Sequence, residues 1–146
     1  MIQRIELHAI LQESTAGVYD DLVTRPTGRA VRERIERVLV EPPPAPIAVI
    51  DFTGVGCLDF SCADEIVAKL LRDHVRVLVL RGMTDAHREA IEPVLETAGL
   101  VAFAADPTGA LVPVGPVAGA GALLEELVSR RLAVRSPAGA VTLSLA

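Results

Sequence analysis

Tryptophan is absent from this chain of 146 residues, which also has only one tyrosine and three phenylalanines. A core with so few aromatic rings has to be filled by Val, Leu, Ile and Ala, the usual filling of parallel α/β layers. No apolar run approaches the roughly 20 residues that cross a bilayer, and the charged, alternating N-terminus lacks the apolar centre of a signal peptide. A cytoplasmic protein with no membrane partner is expected. Cysteine is scarce too. Cys57 and Cys62 are a lone pair with no second pair and no neighbouring His, which argues against zinc and, in a reducing compartment, against a disulfide. Both read as small buried apolar residues. His8, His74 and His87 show no HxxxH or HxH spacing, so neither a metal nor another cofactor is expected. His8, on the polar side of a strand, and His87, on a helix exterior, are expected at the surface. An excess of basic charge is also missing. The formal charge of −5 argues against broad binding to a phosphate backbone, so nucleic acid is not the expected partner.

What is present describes a globular chain of about one domain, 51% hydrophobic and 23% charged. Ile5, Leu7, Ala9 and Leu11 alternate with polar neighbours at the period of a half-buried strand, and Gly17 to Val23 reads as its weaker partner. After Pro26, Thr27 can cap a helix with Val31, Ile35 and Val38 on one stripe and Arg29, Arg32, Glu33, Arg34, Glu36 and Arg37 facing water. Pro42, Pro43, Pro44 and Pro46 stop that helix and lead into Ile47 to Phe52, a near-continuous apolar strand suited to a position buried on both faces. Ala63, Ile66, Val67, Leu70 and Leu71 then form a helical stripe opposite Asp64, Glu65, Lys69, Arg72 and Asp73. Val75 to Leu80 is the next strand. A helix from Thr84 to Gly99, with Pro93 predicting a kink or a late start, precedes a last sheet strand at Leu100 to Ala104.

The densest chemistry lies where the central strand meets the second helix. Ser61 opens that helix, and a helix start carries unpaired N–H groups and a positive dipole end that tolerate an anion such as phosphate. Ser is equally a preferred N-cap, with Asp64 completing an imperfect capping box. Asp51, at the end of its strand, sits where α/β folds place ligands, although bonding the turn amides is the simpler task for it. Arg25, in the loop Thr24-Arg25-Pro26-Thr27-Gly28, is expected at the same end of the sheet, facing a modified Ser61 or a partner's carboxylate.

The run Asp51-Phe52-Thr53-Gly54-Val55, followed by Leu58-Asp59-Phe60-Ser61, resembles the signature of STAS domains, the fold of bacterial anti-sigma-factor antagonists. Their strand reads Asp-Leu-Ser-Gly-Val and their helix opens with Asp-Ser-Ser-Gly. Asp51 takes the place of the strand-end aspartate, Asp59 that of the aspartate before the serines, and Ser61 that of the second serine, which a partner kinase phosphorylates in the switching members. Phe60 stands in place of the first serine and Cys62 in place of the glycine, so the chain looks closer to the divergent STAS-like group, in which an Asp-Phe strand end precedes a serine and a small residue. The likeness covers roughly the first 104 residues in element order and about fifteen in motif detail.

The resemblance implies an α/β STAS-like fold with a four- to five-stranded mixed sheet in residues 1–104; past the turn Asp106-Pro107-Thr108-Gly109, residues 105–146 read as a C-terminal helix and β-hairpin extension. It implies a non-enzymatic module that binds another protein, an anti-sigma factor or a serine-kinase-like partner, through Ser61, Asp59, Asp51, Cys62, Asp64 and Arg25, and is released by phosphorylation of Ser61. Asp59, Asp64 and Glu65 surround that serine with negative charge.

The extension holds a helix carrying Leu123, Leu124, Leu127 and Val128 and a hairpin pattern from Leu132 to Leu145 around Ser136-Pro137-Ala138-Gly139. Its simplest role is to cover the sheet edge or to build a homodimer. Helix, Arg130-Arg131 and hairpin also follow the order in which a winged helix ends, which keeps open a DNA-binding regulator, although Glu125 and Glu126 lie on the helix that would approach DNA. A second alternative is a small-molecule or metal-dependent enzyme at Asp51 and Asp59. For catalysis at Ser61, a base and the Gly-x-Ser-x-Gly elbow are both lacking, and Gly54 and Gly56 complete no phosphate-binding fingerprint.

Overall fold

The computed structural model describes residues 2–15, 17, 19–40 and 47–144. The prolines at 42–46 and Leu145 of the hairpin pattern lie outside the described residues. The chain runs through β1 (Ile2–Glu6), α1 (Leu7–Ser14), α2 (Arg25–Leu39) and β2 (Ile47–Asp51). A helix spanning 60–73 follows, made of α3 (Phe60–Ala63), a π segment (Asp64–Ala68) and α4 (Lys69–Asp73). Then come β3 (Val77–Arg81), α5 (Asp85–Ala98), β4 (Ala102–Ala105), β5 (Leu111–Val114), α6 (Ala120–Ser129), β6 (Ala133–Arg135) and β7 (Val141–Leu143).

The protein is α/β, with a five-stranded mixed sheet in the order β1-β2-β3-β4-β5. The first four strands are parallel and β5 returns antiparallel to β4. Each parallel step needs a crossover of one hand, and a sheet that grows in one direction by such steps collects its crossover helices on one face. The burial pattern agrees: Ile5, Ala48, Ile50, Leu78 and Leu80 pack with Leu11, Ile35, Ile66 and Leu95 in one core.

The opposite face carries Ile47, Val49, Val77, Val79 and Phe103, a second apolar layer that also has to leave water. α6 and the β6–β7 hairpin cover it, through Ala120, Leu127, Ala133 and Val141. The C-terminal segment therefore covers a sheet face rather than a sheet edge. β5, inside the stretch assigned to the extension, is a strand of the main sheet.

Several expectations need correction. The N-terminal strand ends at Glu6, and Leu7 and Leu11 are buried on α1. Positions 7 and 11 satisfy both a two-residue and a four-residue period, so the alternation did not separate strand from helix. Around Gly17 to Val23, Leu22 makes only an isolated parallel bridge to Leu58. α2 begins at Arg25 with Pro26 in its first turn, which puts Thr24, not Thr27, at the N-cap. α5 runs through Pro93 from Asp85 without a late start and ends at Gly99 as expected.

Candidate functional site

After β2 the chain turns through buried Phe52 and Val55 and reaches Asp59 in an extended conformation, φ −92° and ψ 170°. That is N-cap geometry, and the Asp59 side chain fills the role: Oδ1 accepts the backbone N–H of Cys62 at 2.8 Å. Ser61 is therefore not the cap. It is the second helical residue, half-buried, and its hydroxyl donates to Asp59 Oδ1 at 2.7 Å. Burial pushes the Asp59 acid up, but the bonds from Cys62, Ser61 and Thr24 outweigh it and hold the carboxyl below the ordinary aspartate value.

The other Asp59 oxygen ties down the loop before α2, accepting the Thr24 N–H at 2.8 Å. Thr24 has φ 71°, a left-handed conformation that costs a β-branched residue on the order of 1–3 kcal/mol. Partners on both sides hold it there, because its carbonyl accepts the Gly28 N–H at 3.2 Å and the Cys62 thiol at 3.2 Å. Burial, with the Asp59 charge adding, pushes the Cys62 thiol up to about 12, so it is a neutral donor at physiological pH. Gly28 permits the approach of α2, since a Cβ there would lie 3.0 Å from Cys62 Cα and 3.1 Å from its sulfur. Cys62 is buried as expected; Cys57 is exposed.

Beneath this loop pair lies a charged cluster that the helical stripe placed on the outside. Glu65 is 0% exposed. Its Oε1 accepts from Arg25 at 3.0 Å and from Lys69 at 2.8 Å, and its Oε2 from Arg32 at 2.9 Å. Burial alone would raise this acid, yet the bonds from Lys69, Arg32 and Arg25 bring it down to about 2. Arg25 also holds Asp64 at 2.8 Å, and Arg32 extends the network to Glu36, which His74 meets from the other side. The negative charge around Ser61 is thus largely matched, and Arg32 and Glu36, expected in water, are partly buried in the network.

Asp51 belongs to a different environment. Its Oδ1 accepts the Thr53 N–H at 2.9 Å, the turn-bonding task expected of it. Burial raises the acid, but the Thr53 bonds and the charges of Arg81 and Arg4 hold it below the usual value. Gly82, with φ 66°, lets the next loop close on this turn, where a Cβ would fall 2.5 Å from Thr53 Oγ1 and 2.7 Å from Asp51 Oδ1. Asp51 and Asp59 share no hydrogen-bond partner. Among the described residues no group of three or more His, Cys, Asp or Glu is placed to hold a metal ion.

Both histidines expected at the surface have structural partners. His87 is buried, closes a capping box with Thr84 and bonds the Gly56 carbonyl at 2.6 Å. His8, on α1 rather than on a strand, is half-buried and pairs with Asp20 at 2.7 Å.

The structure thus brings together Arg25, Asp59, Ser61, Cys62 and Asp64 and leaves Asp51 apart. Sequence reasoning missed the burial of Glu65 and the contributions of Arg32 and Lys69. It also missed two apolar side chains flanking the Thr24–Asp59 bond: Phe60 is 61% exposed and Val23 43%. Phe60 was legible as a departure from the motif that the sequence resembles, and an aromatic ring in place of a small polar residue beside a helix start was its signal. The arrangement is a hydrogen-bonded loop pair that presents a hydroxyl and an apolar ring at a helix start. Comparison with family models, with curated proteins and with solved structures found no match to this chain.

Proposed function

We propose that the protein is a non-enzymatic regulatory module of STAS-like fold that binds another protein, in the manner of an anti-sigma-factor antagonist, through the start of the 60–73 helix. The partner is an anti-sigma factor or a serine-kinase-like protein in the cytoplasm, and Ser61 is the residue whose phosphorylation releases it.

The observation that carries this reading is the exposed Phe60 ring beside Ser61 on a loop pair fixed by Asp59. Large exposed apolar side chains beside polar groups on rigid backbone are the usual anchors of protein interfaces, and prior ordering lowers the cost of binding. A phosphate on Ser61 would add about −1.5 to −2 charges next to that ring and would face the amide groups of the helix start and the Arg25 side chain. The pairing of Asp64 and Glu65 with cations leaves Asp59 as the main opposing charge. A partner that buries Phe60 would then have to desolvate the new charge, which favours release.

The DNA-binding alternative draws less support, because the hairpin's Arg135 is paired with Glu125 and Arg76 is paired with Glu126. Affinity capture of the tagged protein from its native cells, compared with Phe60→Ala and Ser61→Asp, tests the proposal. A partner held by the wild type and lost from both variants supports it. A set of partners unchanged by either substitution overturns it.

A further inference from the structure

On the sheet face away from the crossover helices, a groove of about 850 Å³ opens at the carboxyl ends of β3 and β4. The β3–α5 connection, the β4–β5 turn and β7 form its walls, through Gly82 and Thr84, Pro107 and Thr108, and Thr142 and Leu143. Its floor is apolar, with Val49, Val79 and Leu111 buried beneath it. The volume falls within the roughly 300–1,000 Å³ of small-molecule sites, and the carboxyl ends of parallel strands are where open α/β sheets bind ligands.

Two guanidinium groups at this end of the face form no ion pair among the described residues, although their charges reach Asp51. Register places Arg4 beside Val49 and Val79 in one row across the sheet, and Arg81 beside Asp51 in the next row. Seven arginines pair with a carboxylate; Arg29, Arg37, Arg130 and Arg131, which form no ion pair among the described residues, lie outside the groove. Arg4 and Arg81, among the described residues, form no ion pair and donate no side-chain hydrogen bond, although both line the groove. The Asp51 carboxylate feels both charges but bonds neither guanidinium. Asp51 accepts from Thr53, and Asp106 accepts the N–H groups of Thr108 and Ala110 and the Thr108 hydroxyl. Arg88 lines the groove but is held by Glu92, and Asp85 is the remaining acid of the lining.

We propose that this groove binds a small organic anion, a carboxylate or phosphate monoester with a short apolar body, whose charged head lies between Arg4 and Arg81 and whose body lies against Ala105, Leu111 and Leu143. Guanidinium forks match both head groups in two-point geometry, and the Thr84 and Thr142 hydroxyls at the rim supply further donors. Because β7 forms one wall, the ligand would tie the C-terminal cover to the sheet. This site is remote in sequence from the Phe60–Ser61 surface, and its occupancy does not depend on the protein-binding reading.

Amide-resolved NMR titration of the full chain with hexanoate, with hexyl phosphate and with hexanol tests the inference. The expected result is a saturable response to at least one anion at the amides of Gly82, Thr84, Thr108 and Thr142, with none to hexanol. The tighter of the two anions identifies the head group. Arg4→Ala and Arg81→Ala should each weaken binding about tenfold, the scale of a lost charge-assisted hydrogen bond, while Arg76→Ala, outside the groove, leaves it unchanged. Spectral dispersion shows that each variant is folded, and Arg81→Gln repeats the test if the alanine variant is not. No saturable response to either anion, an equal response to hexanol, or an affinity indifferent to Arg4 and Arg81 would overturn the proposal.

Discussion

Glu65 is the residue whose environment has the sharpest consequence. A carboxylate with no exposed surface and three cations on its two oxygens ionises at about 2 instead of 4.5. The folded chain therefore holds this proton less readily than the unfolded chain. The stability Glu65 contributes is complete above about pH 4.5 and is lost as pH falls toward 2, by about 2 kcal/mol on reaching pH 3. Urea unfolding of wild type and Glu65→Gln, compared at pH 7 and pH 3, should show the variant about 3 kcal/mol weaker at pH 7, as for one broken buried pair, with the gap narrowing at pH 3. A gap independent of pH would contradict this account. The two cysteines give a second contrast. Cys57 is exposed, whereas the Cys62 thiol is buried, raised to about 12 and bonded to the Thr24 carbonyl. In native protein a thiol reagent should therefore modify one equivalent quickly and the second only on unfolding. Two equally fast thiols would show that the Cys62 contact does not persist in solution.

The joint between α2 and the helix of residues 60–73 depends on Asp59 and Gly28. Asp59→Ala removes a cap and the tie to Thr24, and should destabilise the fold by about 2 kcal/mol, whereas Asp59→Asn, also a good cap, should lose less. Gly28→Leu should cost about 1–3 kcal/mol by overpacking against the Cys62 backbone. Thermal unfolding of the three variants checks both. The sequence read well where one physical signal dominated. The apolar runs of β2 and β3 required parallel strands buried on both faces, and the turn carboxylate of Asp51 behaves as its position suggested. It read poorly where two signals coincided or where a distant element intervened. Glu65 lies opposite the apolar stripe of its helix, and its burial comes from α2, which packs over that face at Gly28 and supplies Arg25 and Arg32, a contact the helical period does not reveal. His87 presents no apolar signal, and its burial follows from the Gly56 carbonyl 31 residues away. Phe60 stands out in the sequence as a departure from a motif, but only its exposure turns that departure into a candidate contact.

At the scale of the molecule, two layers cover one sheet, the crossover helices on one side and the C-terminal helix and hairpin on the other. Neither sheet face can lose its cover without exposing buried rows of Val, Ile and Phe. Truncation after residue 116 should therefore yield a chain that aggregates or binds a hydrophobic dye, as sedimentation and fluorescence would show; a monomeric, cooperatively folding remnant would make the segment dispensable. Asp59 ties the loop beside the Phe60–Ser61 surface, so the charge proposed at Ser61 would fall on an ordered surface. The most direct test of that central claim is to separate the native cellular protein into free and partner-bound pools and to measure the mass of the peptide containing Ser61 in each. The account predicts phosphate on Ser61 in the free pool and an unmodified serine in the bound pool. Ser61 unmodified in both, or phosphorylated equally in both, would contradict it.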